Sequence, residues 1–271
     1  GNAVDAAITS RRSLRAFLPT PVPLATIRQV LATASRSPSG GNVQPWRIDV
    51  VTGSKLDELK AIMQRRLAEV AAGDKSESPE YDIYPKELVS PHRDYRFKIG
   101  EDMYARLGIP REDKAKRLQW FARNYQFFGA PMALFCSVDR RMGPPQWSDV
   151  GMWLQTIMLL LRGEGLDSCP QEFLSVYAKL IKDFLGVSDE THIFFCGIAI
   201  GYRVAEDPVT GSLNASLAQW LMADGHMPTQ YSARQGTVLG RAGQVFLSQD
   251  AQGQVWVGGD VVACIQGTVN L

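Results

Sequence analysis

Three arginines and a serine fall within five positions at Arg11-Arg12-Ser13-Leu14-Arg15. A guanidinium is permanently charged and presents a planar fork of N–H donors that matches phosphate oxygens, so this cluster makes a compact anion site with phosphate as its natural guest. A second stretch, Ser37-Pro38-Ser39-Gly40-Gly41-Asn42-Val43-Gln44-Pro45-Trp46, has an order hard to explain as a plain connector. Pro38 fixes one backbone dihedral and Gly40-Gly41 permit conformations that other residues avoid. The main chain can therefore lie flat against a ligand while Ser39, Asn42 and Gln44 offer polar groups and Trp46 closes the loop. Taken singly, each stretch has a plain alternative: a solvated basic helix end, and a helix-to-strand turn with a packed Trp.

Composition narrows what such sites can serve. The chain has 271 residues, enough to bury a large core as one domain or as a domain with an appendage. Lys plus Arg number 29 against 28 Asp plus Glu. Apart from the first cluster the basic residues are scattered, so neither nucleic acid nor an anionic membrane is expected as a partner. Cys136, Cys169, Cys196 and Cys264 lie far apart, mostly in apolar runs, which predicts reduced thiols and a cytoplasmic setting rather than a disulfide frame. No Cys/His spacing suggests zinc, and His92, His192 and His226 are isolated and read as structural or exposed. The N-terminal residues lack the apolar core of a signal peptide, and the longest apolar run, Ile157 to Leu161, is far short of a bilayer span.

The elements that must position the two stretches follow from periodicity. Residues 3–10 read as a short helix ending at the arginines; Pro21-Val22-Pro23 opens a second, with Ile27, Val30, Leu31 and Ala34 on its apolar face. Ile48, Val50 and Val51 form a strand broken by Gly53, and Ser54 with Asp57 reads as a capping box for a helix running to about Ala72. Residues 74–94 are polar, punctuated by proline and rich in Tyr, the composition of a surface excursion or an active-site lid. Helices are expected over Tyr95–Leu107 and Arg111–Phe128, the latter with an aromatic stripe of Trp120, Phe121, Tyr125 and Phe128 read as core. Pro131–Val138 and Ile193–Ile200 are near-continuous apolar runs of strand length, expected as central strands covered on both faces. Between them a helix from about Ser148 to Glu164 is apolar nearly all round, which predicts burial on every side and a place in a subunit interface. Gly165-Leu166-Asp167-Ser168-Cys169-Pro170-Gln171-Glu172-Phe173 reads as an irregular polar loop leaving that helix.

Three ordered motifs, RRSLRAF, SPSGGNVQPW and GLDSCPQEF, followed by the strand ending in Gly197-Ile198-Ala199-Ile200-Gly201-Tyr202, resemble the flavin-dependent nitroreductase family over roughly residues 4–202. The resemblance implies a three-layer α/β/α sandwich of the α+β class, bound FMN, and a homodimer with two shared sites. Electrons would pass from NADH or NADPH to nitroaromatics, quinones or similar flat acceptors. It implies that Arg11, Arg12 and Ser13 hold the phosphate, with Arg15 beside the pyrimidine side of the ring, where positive charge stabilises the reduced flavin. Pro38, Ser39, Gly40 and Asn42 would contact the flavin, in this family often from the other subunit. Pro170 and Gln171 would back its reactive edge, and no side chain need act as nucleophile or base.

After Tyr202 the family pattern calls for an Asn and one or two phosphate-binding arginines, and this chain departs from it. Residues 203–271 instead resemble the C-terminal part of PhzF-like phenazine-biosynthesis isomerases, through Glu206–Leu221 and Arg234–Arg241. Here Ser212 is expected to cap a helix carrying Leu213, Leu217, Trp220 and Leu221, packed on short antiparallel strands with turns at residues 250–253 and 258–260. In that family a substrate carboxyl lies at positions matching Asp207, Gly211 and Ser212. The essential Glu of its N-terminal half has no counterpart in residues 1–202, so this segment reads as a β-rich structural or oligomer-forming appendage. Two further functions are carried: a scaffold that has lost tight FMN binding, and PhzF-like isomerisation.

Overall fold

A computed structural model describes residues 2–74, 76–204, 218–235 and 243–258. By its internal contacts the chain divides into two compact units, Gly1–Val204 and Ala205–Leu271.

The larger unit is built on one antiparallel sheet of four strands: β1 (Trp46–Thr52), β2 (Met132–Asp139), β3 (Asp167–Gln171) and β4 (His192–Gly201), in the order β1-β2-β4-β3. The two apolar runs are the two central strands. In β2, Met132, Leu134, Cys136 and Val138 point to one face while Ala133 and Phe135 point to the other, because successive side chains in a strand alternate. The first face is covered by α2 (Leu24–Ala34) and α6 (Pro144–Gly163), through Ile27, Val30, Val150, Trp153 and Ile157. The second is covered by α3 (Gly53–Ala71) and α7 (Ala178–Leu185), through Leu56, Leu59, Met63 and Ile181. Helices on both faces of a sheet buried on both sides make the expected three layers. Near the edges lie α1 (Ala3–Ser10), closed at its start by a reciprocal Asn2/Asp5 capping box, α4 (His92–Arg106) and α5 (Lys114–Ala122).

Five local expectations are corrected. The helix after β1 starts at Gly53 with Thr52 at its N-cap and no side-chain cap, so the Ser54/Asp57 box does not form; Ser54 already sits in the first turn. The expected helix over Arg111–Phe128 is α5 followed by a 3-10 stretch over Arg123–Gly129, where Phe127 and Phe128 take φ of 49° and 55°. Burial of Tyr125, Phe127 and Phe128 in the core overrides helical propensity there, whereas Trp120 and Phe121 stay outside it. The long helix is not buried all round: Gly151, Met152 and Gln155 are exposed. The segment expected as an irregular loop contains β3, an edge strand paired to β4 from Asp167↔Gly201 to Gln171↔Gly197. Its Pro170 lacks an N–H and is tolerated because this is an edge. In the smaller unit Trp220 is 56% exposed, and the helical turns over residues 218–223 bury Ala218 and Met222 instead.

Those helical residues share a cluster with Val245, Leu247 and Val255 of a second antiparallel sheet, β5 (Gln230–Gln235), β6 (Gly243–Gln249) and β7 (Val255–Gly258). The turn between β6 and β7 spans residues 250–253, as expected. Asp207, Gly211, Ser212, Leu213, Leu217, Cys264 and the turn at 258–260 beyond Gly258 lie outside the described residues. No helix among the described residues is long and apolar enough to cross a membrane, and no group of His, Cys, Asp or Glu among them could hold a metal ion.

Candidate functional site

The arginine motif leaves α1 as an extended segment alongside β3. Ser13 pairs with Ser168 in a parallel bridge, and the Leu14 N–H donates to the Ser168 carbonyl at 3.0 Å. The first and third motifs are thus joined through the backbone. Further on, Phe17 bridges to Arg203 at the end of β4, and the Leu18 N–H donates to the Tyr202 carbonyl at 2.9 Å. Gly201 makes room for this crossing: a Cβ there would stand 2.8 Å from Pro131 Cδ and 3.1 Å from Phe17 Cδ1.

An ionic knot fixes the base of the segment. Asp167, 1% exposed, accepts a bidentate pair from Arg203 (Nε and Nη2, both 2.9 Å) and faces Arg162 Nη1 at 3.1 Å. Arg162 also donates to Ser10 Oγ at 3.1 Å and to the Leu166 carbonyl at 3.0 Å, tying α1 to the end of α6. By contrast, none of the ion pairs or side-chain hydrogen bonds among the described residues involves Arg11, Arg12, Ser13 or Arg15. Their charge is nevertheless felt. Burial pushes the Cys169 thiol up to about 11, and the positive charges of Arg15 and Arg11 oppose that rise.

Arg15, Pro170, Gln171 and Glu172 form one wall of a cleft of about 450 Å³. The other wall comes from the Tyr-rich excursion and the two helices after it: Tyr84, Arg96, Tyr104, Trp120 and Phe121. Phe121 meets Phe173 edge-on with ring centroids 4.5 Å apart. Gln171 is held by its Nε2, which donates to the Asn124 carbonyl (3.0 Å) and Oδ1 (3.2 Å), while its buried Oε1 has no partner; Ser168 Oγ is orphaned likewise. Burial raises the pKa of Glu172 at the cleft wall. The excursion itself is pinned down. Glu80 accepts from the fully buried Lys182 (2.8 Å) and from the Phe194 N–H (3.0 Å), and pairs with Arg140; Tyr81 Oη donates to the Phe195 carbonyl at 2.6 Å. Buried Arg66 adds pairs to Asp74 and Glu77.

The Pro-Gly loop is well ordered but elsewhere. The Gly40 N–H donates to Asp149 Oδ2 at 3.1 Å, Ser37 Oγ meets Thr156 Oγ1 at 3.1 Å, and the Gln44 N–H donates to Ser39 Oγ at 3.0 Å. Gly41 and Asn42 take φ of 58° and 56°, and Trp46 stacks on Trp153 with centroids 5.0 Å apart. Pro38, Gly40 and Asn42 are exposed. This loop leads into β1 at one edge of the sheet, where Trp46 is in register with Val138 and thence Ile193, whereas Ser13 lies beyond β3 at the other edge, at the level of Ile200. Four strand spacings across and the run from Ile193 to Ile200 along put the two motifs at diagonal corners, about 31 Å apart. One chain therefore holds the two motifs apart. It brings together Arg11, Arg12, Ser13, Arg15, Pro170 and Gln171, and does not bring Pro38, Ser39, Gly40 and Asn42 to them.

The arrangement fits a phosphorylated flat ring. Unpaired guanidiniums stand at one end, orphaned acceptors on β3 await N–H or O–H donors, and an aromatic cleft lies beyond. Sequence reasoning missed the second wall, Arg96 and Tyr104 above all, and the Asp167 knot. The abundance of Tyr in residues 74–94, read as a possible lid, was the one available signal.

Residues 8–202 match the model of the nitroreductase family, and residues 188–267 match that of phenazine biosynthesis-like proteins, beginning just before β4 rather than after it. Among curated relatives, a 4-nitrobenzoate reductase of Pseudomonas putida is 38% identical over 73% of this chain and 84% of its own length. A nitrobenzene nitroreductase of Ectopseudomonas oleovorans is 32% identical over 73% and 86%. Among solved structures, the FMN- and NADPH-dependent nitroreductase NfnB of Sphingopyxis sp. strain HMH superposes with a TM-score of 0.70 at 46% identity, covering 74% of this chain and 88% of that one. The NfnB of Mycobacterium smegmatis, solved with NADPH, gives 0.69 at 31% identity over 74% and 87%.

Proposed function

Because the chain belongs to the nitroreductase family, we propose that it is an FMN-dependent oxidoreductase that uses NAD(P)H to reduce nitroaromatic or similarly flat acceptors. The observation that carries this is the joining of the arginine segment to β3 beside an aromatic cleft, with the guanidiniums unpaired and Gln171 Oε1 and Ser168 Oγ orphaned. When bound, FMN would supply the redox chemistry, carrying reducing equivalents from the nicotinamide to the acceptor. The chain's own residues bind and orient. Arg11, Arg12 and Ser13 hold the phosphate, Arg15 supplies positive charge beside the ring, and Pro170 and Gln171 back its edge. The aromatic cleft walls exclude water and stack on flat substrates.

The unit is a homodimer in which Pro38, Ser39, Gly40 and Asn42 complete the partner's site. Support comes from the diagonal separation of the two half-sites, and from exposed apolar residues on α1 (Val4, Ile8) and α6 (Met152) suited to a second copy. Residues 1–202 form the flavin-binding domain and 203–271 a separate appendage. Titration of the apoprotein with FMN, followed by NADPH consumption with a nitroarene, tests the reading. A yellow holoprotein with micromolar or tighter FMN and acceptor-dependent turnover is expected; millimolar affinity without turnover would favour a non-catalytic scaffold instead.

A further inference from the structure

The names of the relatives do not say whether the acceptor carries a charge: one acts on nitrobenzoate and another on nitrobenzene. The cleft does carry such information. Two guanidiniums line it, Arg15 on the β3 wall and Arg96 on α4 opposite. Arg96 lies over the ring of Tyr84 at 4.0 Å from its centroid, a contact that holds the guanidinium in place without neutralising it. Among the described residues no carboxylate pairs with it, although α4 and α5 carry close pairs elsewhere, such as Arg117 with Glu101 and Lys98 with Asp102. Among the described residues lining the cleft the one carboxyl is that of Glu172, and burial disfavours its charged form. Tyr104, Trp120 and Phe173 line the same cleft as Arg96, aromatic surface on which a flat acceptor can rest.

Resting on the reductase reading above, we propose that Arg96 selects acceptors by charge: the preferred substrate is an aromatic nitro compound bearing a carboxylate on the side of the ring remote from the nitro group. The carboxylate meets the Arg96 fork while the ring rests on the aromatic lining of the cleft. Because the guanidinium is held but not neutralised, the carboxylate gains a charge-assisted hydrogen bond without displacing another anion. A neutral isostere gains nothing there.

The test uses the full chain loaded with FMN. Specificity constants are compared for 4-nitrobenzoate and the neutral 4-nitrobenzamide, in the wild type and in Arg96→Gln and Arg96→Lys; α4 has no buried residue, so these substitutions do not threaten the core. The wild type should prefer the anion, and Arg96→Gln should lower the anion-to-neutral ratio roughly tenfold, mostly through KM, with Arg96→Lys keeping part of it. In parallel, benzoate and benzamide binding is followed by tryptophan fluorescence. This reads the same selectivity without turnover, so a failure of the reductase reading is distinguished from a failure of this one. An unchanged ratio in Arg96→Gln overturns the proposal. So does a raised KM for NADPH with the acceptor ratio intact, which would give Arg96 to a nucleotide phosphate.

Discussion

Asp167 shows how one buried carboxylate organises permanent charge. With two guanidiniums gathered on it, replacement by Ala removes the buried carboxylate that Arg162 and Arg203 share. Breaking a buried pair costs about 3–5 kcal/mol; because Arg203 is 42% exposed and can turn to water, we expect about 3 kcal/mol. A urea midpoint for Asp167→Ala indistinguishable from wild type would show that the knot does not stabilise the fold. Cys169 gives a pH-dependent prediction. Its thiol is raised by burial from 9.0 to about 11. Below pH 9 it is protonated in both folded and unfolded chains, and its contribution is fully present. Above 9 the unfolded chain releases the proton while the folded chain holds it, so stability falls until about pH 11. The loss is roughly 2–3 kcal/mol, and Cys169→Ser should lack that part of the alkaline decline when unfolding is compared at pH 8 and pH 10.5.

Among the elements, the excursion after α3 and the crossing at Gly201 are the most exposed to test. Glu80→Gln removes the charge that faces fully buried Lys182 and weakens the grip on the Phe194 amide. Faster hydrogen exchange over residues 76–90 is expected, together with a raised acceptor KM, since Ile83 and Tyr84 beyond it line the cleft. Gly201→Ala forces a methyl against Pro131 and Phe17, so the arginine segment must shift; FMN affinity should fall at least tenfold while helix content by circular dichroism holds. If FMN binding is unaffected, the path of Phe17 does not set the arginines. The elements were largely legible beforehand where periodicity was strong, as in α2, α3, α6, β2 and β4. What was illegible had non-local causes. Asp167–Gln171 is a strand because β4 and Ser13 supply its partners, which a polar stretch containing Pro170 does not advertise. Likewise the 3-10 stretch at Arg123–Gly129 exists because Phe127 is drawn into a core built from distant segments.

For the whole molecule, the proposed homodimer, with the two motifs held apart in each chain, predicts complementation. A chain impaired in the arginine segment (Arg12→Ala with Arg15→Ala) and a chain impaired in the loop (Gly40→Val with Asn42→Ala) should each be inactive as homodimers. Mixed by co-expression, they form heterodimers with one intact site, and activity should recover to about one quarter of wild type. No recovery in a demonstrated heterodimer would mean that each chain completes its own site. Both motifs were legible in the sequence, but nothing in their spacing told that the sheet holds them apart.

Lying against β3, Ser13 and Leu14 occupy a border that would otherwise offer its hydrogen-bonding groups to any passing chain. On the proposed reading, detaching this stretch would therefore do two kinds of harm at once, emptying the phosphate cradle and uncovering an adhesive seam. Damage to the cradle should be visible as turbidity on storage as well as loss of colour, and added cofactor should suppress both together.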